Sequence, residues 1–448
     1  MSLPPTPTRR IWWHRLRTRL ILGLIALGFT ISVPSGTPAQ NGLEDRVVGR
    51  ARDVLFNYVG WESDALTGKI VQHQAGVAPY LSEADRSRYV HDYLKQVGRL
   101  QSIEGQIAGI YGNPAITNPA AASADLRAQR DQIKAQTDSQ QPLAESIIES
   151  QVASVLRDEG FATLGQVLPP VSAHLTQLPM LLVISPRDQI RFAADVTVIN
   201  LPGDQREALE NRIEQDLNVS SLIVPLGGLS LYPSMVMQTY FTPFVFNTVA
   251  HEWTHHYLYF FPLGWEYNSS PETRTINETT ASLLGDEVSR KVLAKFYQDF
   301  PDVLAQIPPP IGPTTSPSAR ATPTPTPDPR LDDVQPSFDF SRELNTTRRV
   351  VDLYLHFGMV DQAEAYMRAE RYVFAANGYP DRINQAYFAF YGGYLVQSVG
   401  ASAGGTDPIG PAILTVRAHS RSLKDWLETM RTITNRSQLL AERDALAK

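Results

Sequence analysis

The sequence predicts an α+β fold that is mostly helical, with a small sheet placed before one chemically distinctive helix. Long stretches on both sides of the middle of the chain carry apolar residues at helical spacing. Short apolar runs rich in β-branched residues are concentrated between about residues 179 and 236. The segment 242–262 contains the pattern His-Glu-x-x-His between helix start and stop signals.

Composition limits what this 448-residue chain can be. Hydrophobic residues make up 43% of it and charged residues 19%, which is ordinary for a globular protein long enough for two or three domains. The formal net charge is −6, and residues 1–19 contain five arginines and no acid, so the remainder is more acidic still. That balance argues against nucleic acid as a partner. Because the sequence has no cysteine, any metal must be held by histidines and carboxylates.

The amino terminus has the pattern of an export signal. Its arginines precede an apolar stretch from Leu20 to Val33, followed by Pro34 and small residues that would allow cleavage after Ala39. The apolar stretch is short for a membrane span, which favours a signal peptide, although an uncleaved N-terminal membrane anchor remains an alternative. Both interpretations predict an extracytoplasmic location for the rest of the chain, because the positive end stays inside.

A long helical hairpin is predicted next. The stretches 82–111 and 123–158 have apolar residues at helical spacing, and Gly112, Pro114 and Pro119 lie between them. The hairpin is interpreted as a scaffold packed on the body of the protein, with a partner-binding arm as the alternative.

The small sheet should lie between residues 179 and 236. Met180–Ile184 and Ala194–Ile199 have the pattern of strands, residues 205–217 that of a helix, and 222–236 that of extended chain broken at Gly227-Gly228 and Pro233. Residues 217–250 contain no charged side chain. The prolines and glycines there favour a buried sheet leading into a buried helix over a transmembrane helix.

The rest of the chain is predicted to be helical apart from one linker. Residues 308–336 are rich in Pro, Thr and Ser, a composition typical of disordered chain. Helices are predicted at 275–298, 341–357, 360–377, 381–397 and 421–446, with a glycine-rich loop at 402–410.

The His-Glu-x-x-His segment has the spacing of a metal site. Thr242 offers a helix N-cap, Pro243 suits the first helical turn, and Pro262 would end the helix. On such a helix His251 and His255 lie one turn apart on one face, so both imidazoles can bind one ion.

A catalytic zinc site needs a third protein ligand. Glu278, on the next predicted helix, follows His255 by enough chain for the helix to return antiparallel, and Gly285 on the same face would allow close approach of the two helices. We therefore expect His251, His255 and Glu278 to bind Zn²⁺. The other carboxylates within range are Glu272, Asp286 and Glu287.

These residues resemble the gluzincin group of zinc peptidases, in which a glutamate on the helix after His-Glu-x-x-His is the third ligand. The Asn-Glu-x-x-Ala pattern around Glu278 is similar to that of aminopeptidase-like bacterial members of the group, and the extended segment before the motif fits the edge strand that pairs with substrate backbone. The likeness covers about residues 220–300. One departure is Ser282, where many members carry an acid that orients a histidine; Asp286 is a substitute candidate.

The resemblance implies a zincin-like catalytic core and an organisation around it. Together with the sequence patterns above, it divides the chain into five segments: an export signal or anchor (1–39), a helical region with the hairpin (40–178), the zincin-like core (179–307), a disordered linker (308–336), and a helical part that completes the catalytic domain (337–448). A distinct carboxy-terminal domain after the linker is the alternative.

Together with the export signal, the resemblance implies an exported zinc peptidase that acts on peptide or protein substrates. Glu252 would be the general base and later the acid. A tyrosine or histidine usually stabilises the oxyanion, and Tyr387 and Tyr391 are the candidates, although they also fit an aromatic core face.

Two other classes of protein compete with this prediction. A non-catalytic scaffold or binding protein could retain the same fold. A di-iron carboxylate protein would need a second Glu-x-x-His motif, which the sequence lacks. The predicted edge strand offers no acid to hold a substrate amine, which favours endopeptidase action, whereas the resemblance around Glu278 favours an aminopeptidase. Both kinds of action therefore stay open.

Overall fold

The computed structural model describes residues 42–75, 81–112, 117–308, 338–377, 382–391 and 408–446. Within them the protein is mostly helical with three small sheets, which confirms the α+β prediction. The predicted export signal and proline-rich linker lie outside the described residues.

The amino-terminal part forms five helices, and the predicted hairpin is confirmed. The helices are α1 (Gly42–Ala51), α2 (Tyr58–Ala75), α3 (Glu83–Gly112), α4 (Pro119–Ala122) and α5 (Ala124–Asp158). The hairpin consists of α3 and α5. Its apolar faces meet because residues such as Val90 and Leu94 of α3 recur at helical spacing and are buried in the same core cluster as Ile148 and Val152 of α5.

Eight short strands follow, with one helix among them. They are β1 (Ala162–Thr163), β2 (Gln166–Val167), β3 (Ala173–Thr176), β4 (Met180–Pro186), β5 (Ala194–Val198), helix α6 (Gly203–Leu217), β6 (Val219–Pro225), β7 (Gly228–Leu229) and β8 (Ser234–Met237). β1 and β2 form a hairpin. β5-β4-β6 is an antiparallel sheet, whereas β3-β8-β7 is mixed, with β3 parallel and β7 antiparallel to β8.

The antiparallel sheet is buried on both faces. Along β4, Met180, Leu182 and Ile184 pack with α1 and α6, whereas Leu181 and Val183 pack on the opposite face with carboxy-terminal helices. Successive side chains of a strand point to opposite faces, which explains why this strand is a continuous apolar run instead of an alternating one.

The remaining elements are helical. They are α7 (Thr242–Leu258), α8 (Pro262–Trp265), α9 (Pro271–Phe296), α10 (Pro301–Leu304), α11 (Phe340–His356), α12 (Val360–Ala376), α13 (Gln385–Tyr391), α14 (Ile409–His419), α15 (Leu423–Met430) and α16 (Arg436–Leu446). The predicted helix at 381–397 is described only as far as α13.

The prediction of one final helix over 421–446 is wrong. α15 ends at Met430, and α16 starts after Asn435, whose side chain accepts a hydrogen bond from the backbone N–H of Gln438 at 3.0 Å. A new N-cap within the stretch therefore divides it. Helix α14, just after the glycine-rich stretch, was not predicted.

The largest core joins distant parts of the chain. It combines the α3–α5 hairpin, the helices α7 and α9, and the carboxy-terminal helices α14–α16. Among the described helices, none has both the length and the apolar character required to cross a membrane.

Candidate metal centre

The His-Glu-x-x-His segment lies on helix α7, close to the predicted limits. Phe241, in extended conformation, is the cap residue without a side-chain cap bond, so the prediction of Thr242 as N-cap is wrong by one residue. Pro243 is in the first turn as predicted. The helix ends at Leu258, and Pro262 begins the short helix α8 after it.

Three predicted ligands converge on one point. His251, His255 and Glu278, called the triplet below, each offer a donor atom, and these atoms lie within 4.8 Å of one another. The Nε2 atoms of the two histidines are 3.0 Å apart. Oε2 of Glu278 lies 3.4 Å from Nε2 of His251 and 3.6 Å from Nε2 of His255. Ligands held at 2.0–2.1 Å in a tetrahedron are separated by about 3.3–3.4 Å. The separations and the His₂Glu donor set therefore fit the binding of one metal ion.

His255 is held in the tautomer that a metal ligand needs. Its Nδ1 lies 2.8 Å from Oδ1 of Asn277. A second hydrogen bond orients the Asn277 amide, because its Nδ2 donates to the carbonyl of Leu263 at 3.0 Å. An amide oxygen can only accept, so Nδ1 of His255 donates. In the neutral ring the lone pair is then on Nε2, the nitrogen nearest His251 and Glu278.

The charges around the triplet favour a bound cation. Burial raises the pKa of Glu252, although His251 and His255 counter it. Burial also opposes the ionised form of Glu278, yet the two histidines hold its pKa well below the usual range. Burial lowers the pKa of His255, but Glu278 and Glu252 outweigh it and raise that pKa to about 9. The two buried carboxylates thus stabilise positive charge at the His255 imidazole, and a divalent cation would supply such charge directly.

Glu252 lies against the edge strand β7. A Cβ added at Gly228 would be only 2.2 Å from Oε1 of Glu252 and 2.7 Å from Cγ2 of Thr248. Gly228 therefore allows the strand backbone to approach the carboxylate. Ser230 Oγ also donates to the carbonyl of Glu252 at 3.3 Å. β7 is an edge strand of the mixed sheet. Glu252 lies between this strand and the triplet, because its carboxylate is against Gly228 and interacts electrostatically with all three residues of the triplet.

Helices α7 and α9 approach closely at Gly285, as predicted. A Cβ there would lie 2.8 Å from the carbonyl oxygen of Asn247 and 3.3 Å from Cβ of His251. A larger residue would force the helix that carries Glu278 away from the helix that carries the histidines.

A tyrosine that the sequence analysis missed also reaches the triplet. The hydroxyl of Tyr267, in the segment between α8 and α9, donates to Oε1 of Glu278. Its ring meets the ring of His255 nearly at a right angle, with centroids 6.1 Å apart. The sequence signal available was an aromatic residue in the loop between the two ligand-bearing helices.

The other candidate carboxylates are engaged elsewhere. Glu287 forms a bidentate pair with Arg417, Asp286 pairs with Arg290 at 2.8 Å, and Glu272 lies 3.3 Å from Arg436. Asn277 orients His255, which is the role for which Asp286 was considered.

Tyr387 and Tyr391 lie on α13 in the aromatic cluster that packs on β4 and β6. Their rings are 4.6 Å apart, and the Tyr387 side chain is buried. The structure thus places them in a packed aromatic core, and their role as oxyanion donors stays a prediction.

His256, next to the motif, is a structural histidine. Only 1% of it is exposed, and its Nε2 donates to the carbonyl of Leu231 at 2.7 Å. Burial lowers its pKa to about 4 despite that bond. It ties α7 to the β7–β8 connection. Trp253 is buried beside Phe161, and its indole N–H donates to the carbonyl of Pro169.

Comparisons with known proteins add no relatives. No protein-family model, curated protein or solved structure matches this chain. The chemistry of the site itself is therefore the guide to function.

Proposed function

We propose that this protein is an exported zinc-dependent peptidase of gluzincin type with a zincin-like core. The observation that carries the proposal is the triplet: a His₂Glu donor set with near-tetrahedral separations, in which Glu278 is buried and the two histidines are partly buried, and a second buried carboxylate, Glu252, beside it. A zinc ion bound there would supply Lewis acidity and lower the pKa of water to about 7.

The protein's own residues account for the remaining chemistry. Burial raises the pKa of Glu252, which suits a group that accepts a proton from water and then returns it to the leaving amine. Asn277 keeps Nδ1 of His255 protonated, so that Nε2 can bind the metal. The hydroxyl of Tyr267 has one proton, and it donates this proton in a hydrogen bond to Glu278. Tyr267 therefore fits a role in positioning this ligand and not in stabilising the oxyanion.

The edge strand β7 is the proposed support for substrate. An edge strand has unpaired backbone N–H and C=O groups to which an extended peptide can add as a further strand. Because β7 lies directly against Glu252, a peptide bound along it would present its backbone near the general base.

The decisive experiment compares two site variants with a surface control. Purified wild-type protein should carry about one zinc per chain and cleave members of a mixed peptide library, followed by mass spectrometry. Glu252→Gln should keep the zinc and lose cleavage, whereas His255→Ala should lose both. His419→Ala, which changes an exposed histidine on α14, should behave like wild type.

The same assay separates the open alternatives. Products that lack only the first residue would indicate aminopeptidase action, and internal cuts would indicate an endopeptidase. Wild-type protein that binds no stoichiometric zinc and cuts no peptide would overturn the proposal in favour of a scaffold protein.

The proposed location is outside the cytoplasm. It depends on the arginine-rich start and the apolar stretch Leu20–Val33. Fractionation of expressing cells should find the protein in the exported or membrane-attached fraction, and amino-terminal sequencing would distinguish cleavage near Ala39 from a retained anchor.

A further inference from the structure

Tyr267 connects the triplet to a second group of side chains. Apart from its contacts with Glu278 and His255, its ring lies below the guanidinium of Arg274, whose Cζ is 5.1 Å from the ring centroid. The same guanidinium also contacts the ring of Phe192, whose centroid is 4.2 Å from Cζ. We call Phe192, Arg274 and Tyr267 the aromatic clamp.

The clamp joins two separate parts of the fold. Phe192 precedes β5 of the antiparallel sheet, whereas Arg274 lies in the first turn of α9. Asp195 of β5 adds a charge contact, with Oδ2 3.8 Å from Nη2 of Arg274. The side chain of Arg274 is only 21% exposed, so its position is restricted on several sides.

Arg274 is also close to the third ligand along the helix. It precedes Glu278 by four residues on α9, so their Cβ atoms lie on one face about 5–6 Å apart. The guanidinium is thus beside the tyrosine whose hydroxyl holds Glu278, and one helical turn from that carboxylate.

We infer that Arg274 is a positioning residue for the metal centre: by its contacts with the rings of both Phe192 and Tyr267 it holds the Tyr267 hydroxyl on Glu278 and so fixes the third ligand. The inference depends on the proposed function, since it assigns a role toward the zinc ion proposed there. A planar guanidinium suits this place because it can stack on a ring and keep its charge, which a lysine ammonium does less well.

The test is a double-mutant cycle on zinc affinity. Affinity is measured for the whole protein by competition with a chromophoric chelator, without reference to activity. Arg274→Met, which keeps an unbranched apolar stem and removes the guanidinium with its charge, should weaken zinc binding about 10- to 100-fold, the usual effect of losing a partner of a ligand. Tyr267→Phe should have a similar effect.

The decisive comparison is the double variant. If Arg274 acts through the Tyr267 hydroxyl, Arg274→Met should cause little further loss of affinity in the Tyr267→Phe background. A general loss of packing would instead weaken binding by the same factor in both backgrounds. Arg290→Met, on the same helix and paired with Asp286, is the matched control and should leave the affinity unchanged.

The outcomes separate this inference from the proposed function. Wild-type protein that binds no zinc overturns both. If wild type binds zinc and Arg274→Met binds it equally well, or if the two losses are fully additive, only the role of Arg274 is overturned. Should Arg274→Met fail to fold, Arg274→Lys gives the same comparison, with an intermediate loss expected.

Discussion

At the scale of single residues, Asn277 is the clearest partner of a ligand. It accepts from Nδ1 of His255 and donates to the carbonyl of Leu263. Asn277→Ala removes both bonds, so His255 loses its fixed tautomer and we expect zinc affinity to fall about 10- to 100-fold. Competition with a chromophoric chelator measures this zinc affinity. Asn377→Ala, at the exposed end of α12, should leave the affinity unchanged. Equal affinity in wild type and Asn277→Ala would refute the assigned role.

Gly228 gives a second prediction at this scale. Because a Cβ there would overlap Glu252, Gly228→Ala should displace the carboxylate without touching the triplet. Peptide cleavage should fall by about 10²-fold or more, as for loss of a general base, while bound zinc stays near wild type.

The adjacent glycine is the control for this prediction. A Cβ at Gly227 would lie 3.2 Å from Cζ of Phe244, at the far end of a side chain that can move. Gly227→Ala should therefore lose much less activity. Equal losses in the two variants would mean that general disturbance of the strand, not displacement of Glu252, is responsible.

At the scale of elements, the packing of α7 on α9 depends on Gly285. Gly285→Ala places a methyl group 2.8 Å from the carbonyl of Asn247, so the two helices must separate. We expect a loss of about 1–3 kcal/mol in the free energy of unfolding and weaker zinc binding, since Glu278 moves with its helix. Urea unfolding and chelator competition measure the two effects.

The control for Gly285 is a helical glycine with open space around it. A Cβ at Gly105 of α3 would meet nothing within 4 Å. Gly105→Ala should raise the free energy of unfolding by about 0.5–1 kcal/mol, because alanine loses less backbone freedom in a helix. If Gly285→Ala also stabilised the protein, the helices would not be in tight contact there.

The elements also show which parts of the molecule a sequence can predict. The hairpin helices and α7 follow from local periodicity and end signals, and Glu278 with Gly285 followed from helix geometry. Tyr267 and Asn277 could not be assigned, because their roles depend on how α8 and the following loop fold back on α7. Tyr387 and Tyr391 were chosen by residue type, which does not distinguish a core face from a site.

At the scale of the whole molecule, α5 covers one edge of the mixed sheet, formed by β3, and leaves the opposite edge open. Glu145 and Glu149 of α5 accept from the backbone N–H groups of Leu175 and Ala173 at 2.8 and 2.9 Å, so the outer edge of β3 is satisfied by side chains. Lys69 of α2 pairs with both carboxylates at 2.7 and 2.8 Å. The opposite edge is β7, beside Glu252. The helical hairpin thus supports the sheet on one side while its other side faces the site.

This support predicts how stability depends on pH. Burial opposes the ionised form of Glu145, but Lys69 and His174 outweigh it and lower its pKa from 4.5 to about 2. A lowered pKa means that the ionised group stabilises the fold above about pH 4.5 and that this contribution is lost as the pH falls toward 2. Its size is on the order of 3 kcal/mol.

Comparison with Glu145→Gln tests this group, because the two proteins differ only in this carboxyl. At pH 7 the variant should unfold at lower urea than wild type, because it lacks the ionised carboxylate that pairs with Lys69, and the gap should narrow steadily between pH 4.5 and pH 2. Asp138→Asn, at an exposed position of the same helix, should change the free energy of unfolding by less than about 0.5 kcal/mol at every pH. Parallel curves for wild type and Glu145→Gln would show that the buried carboxylate does not stabilise the attachment of α5 to β3.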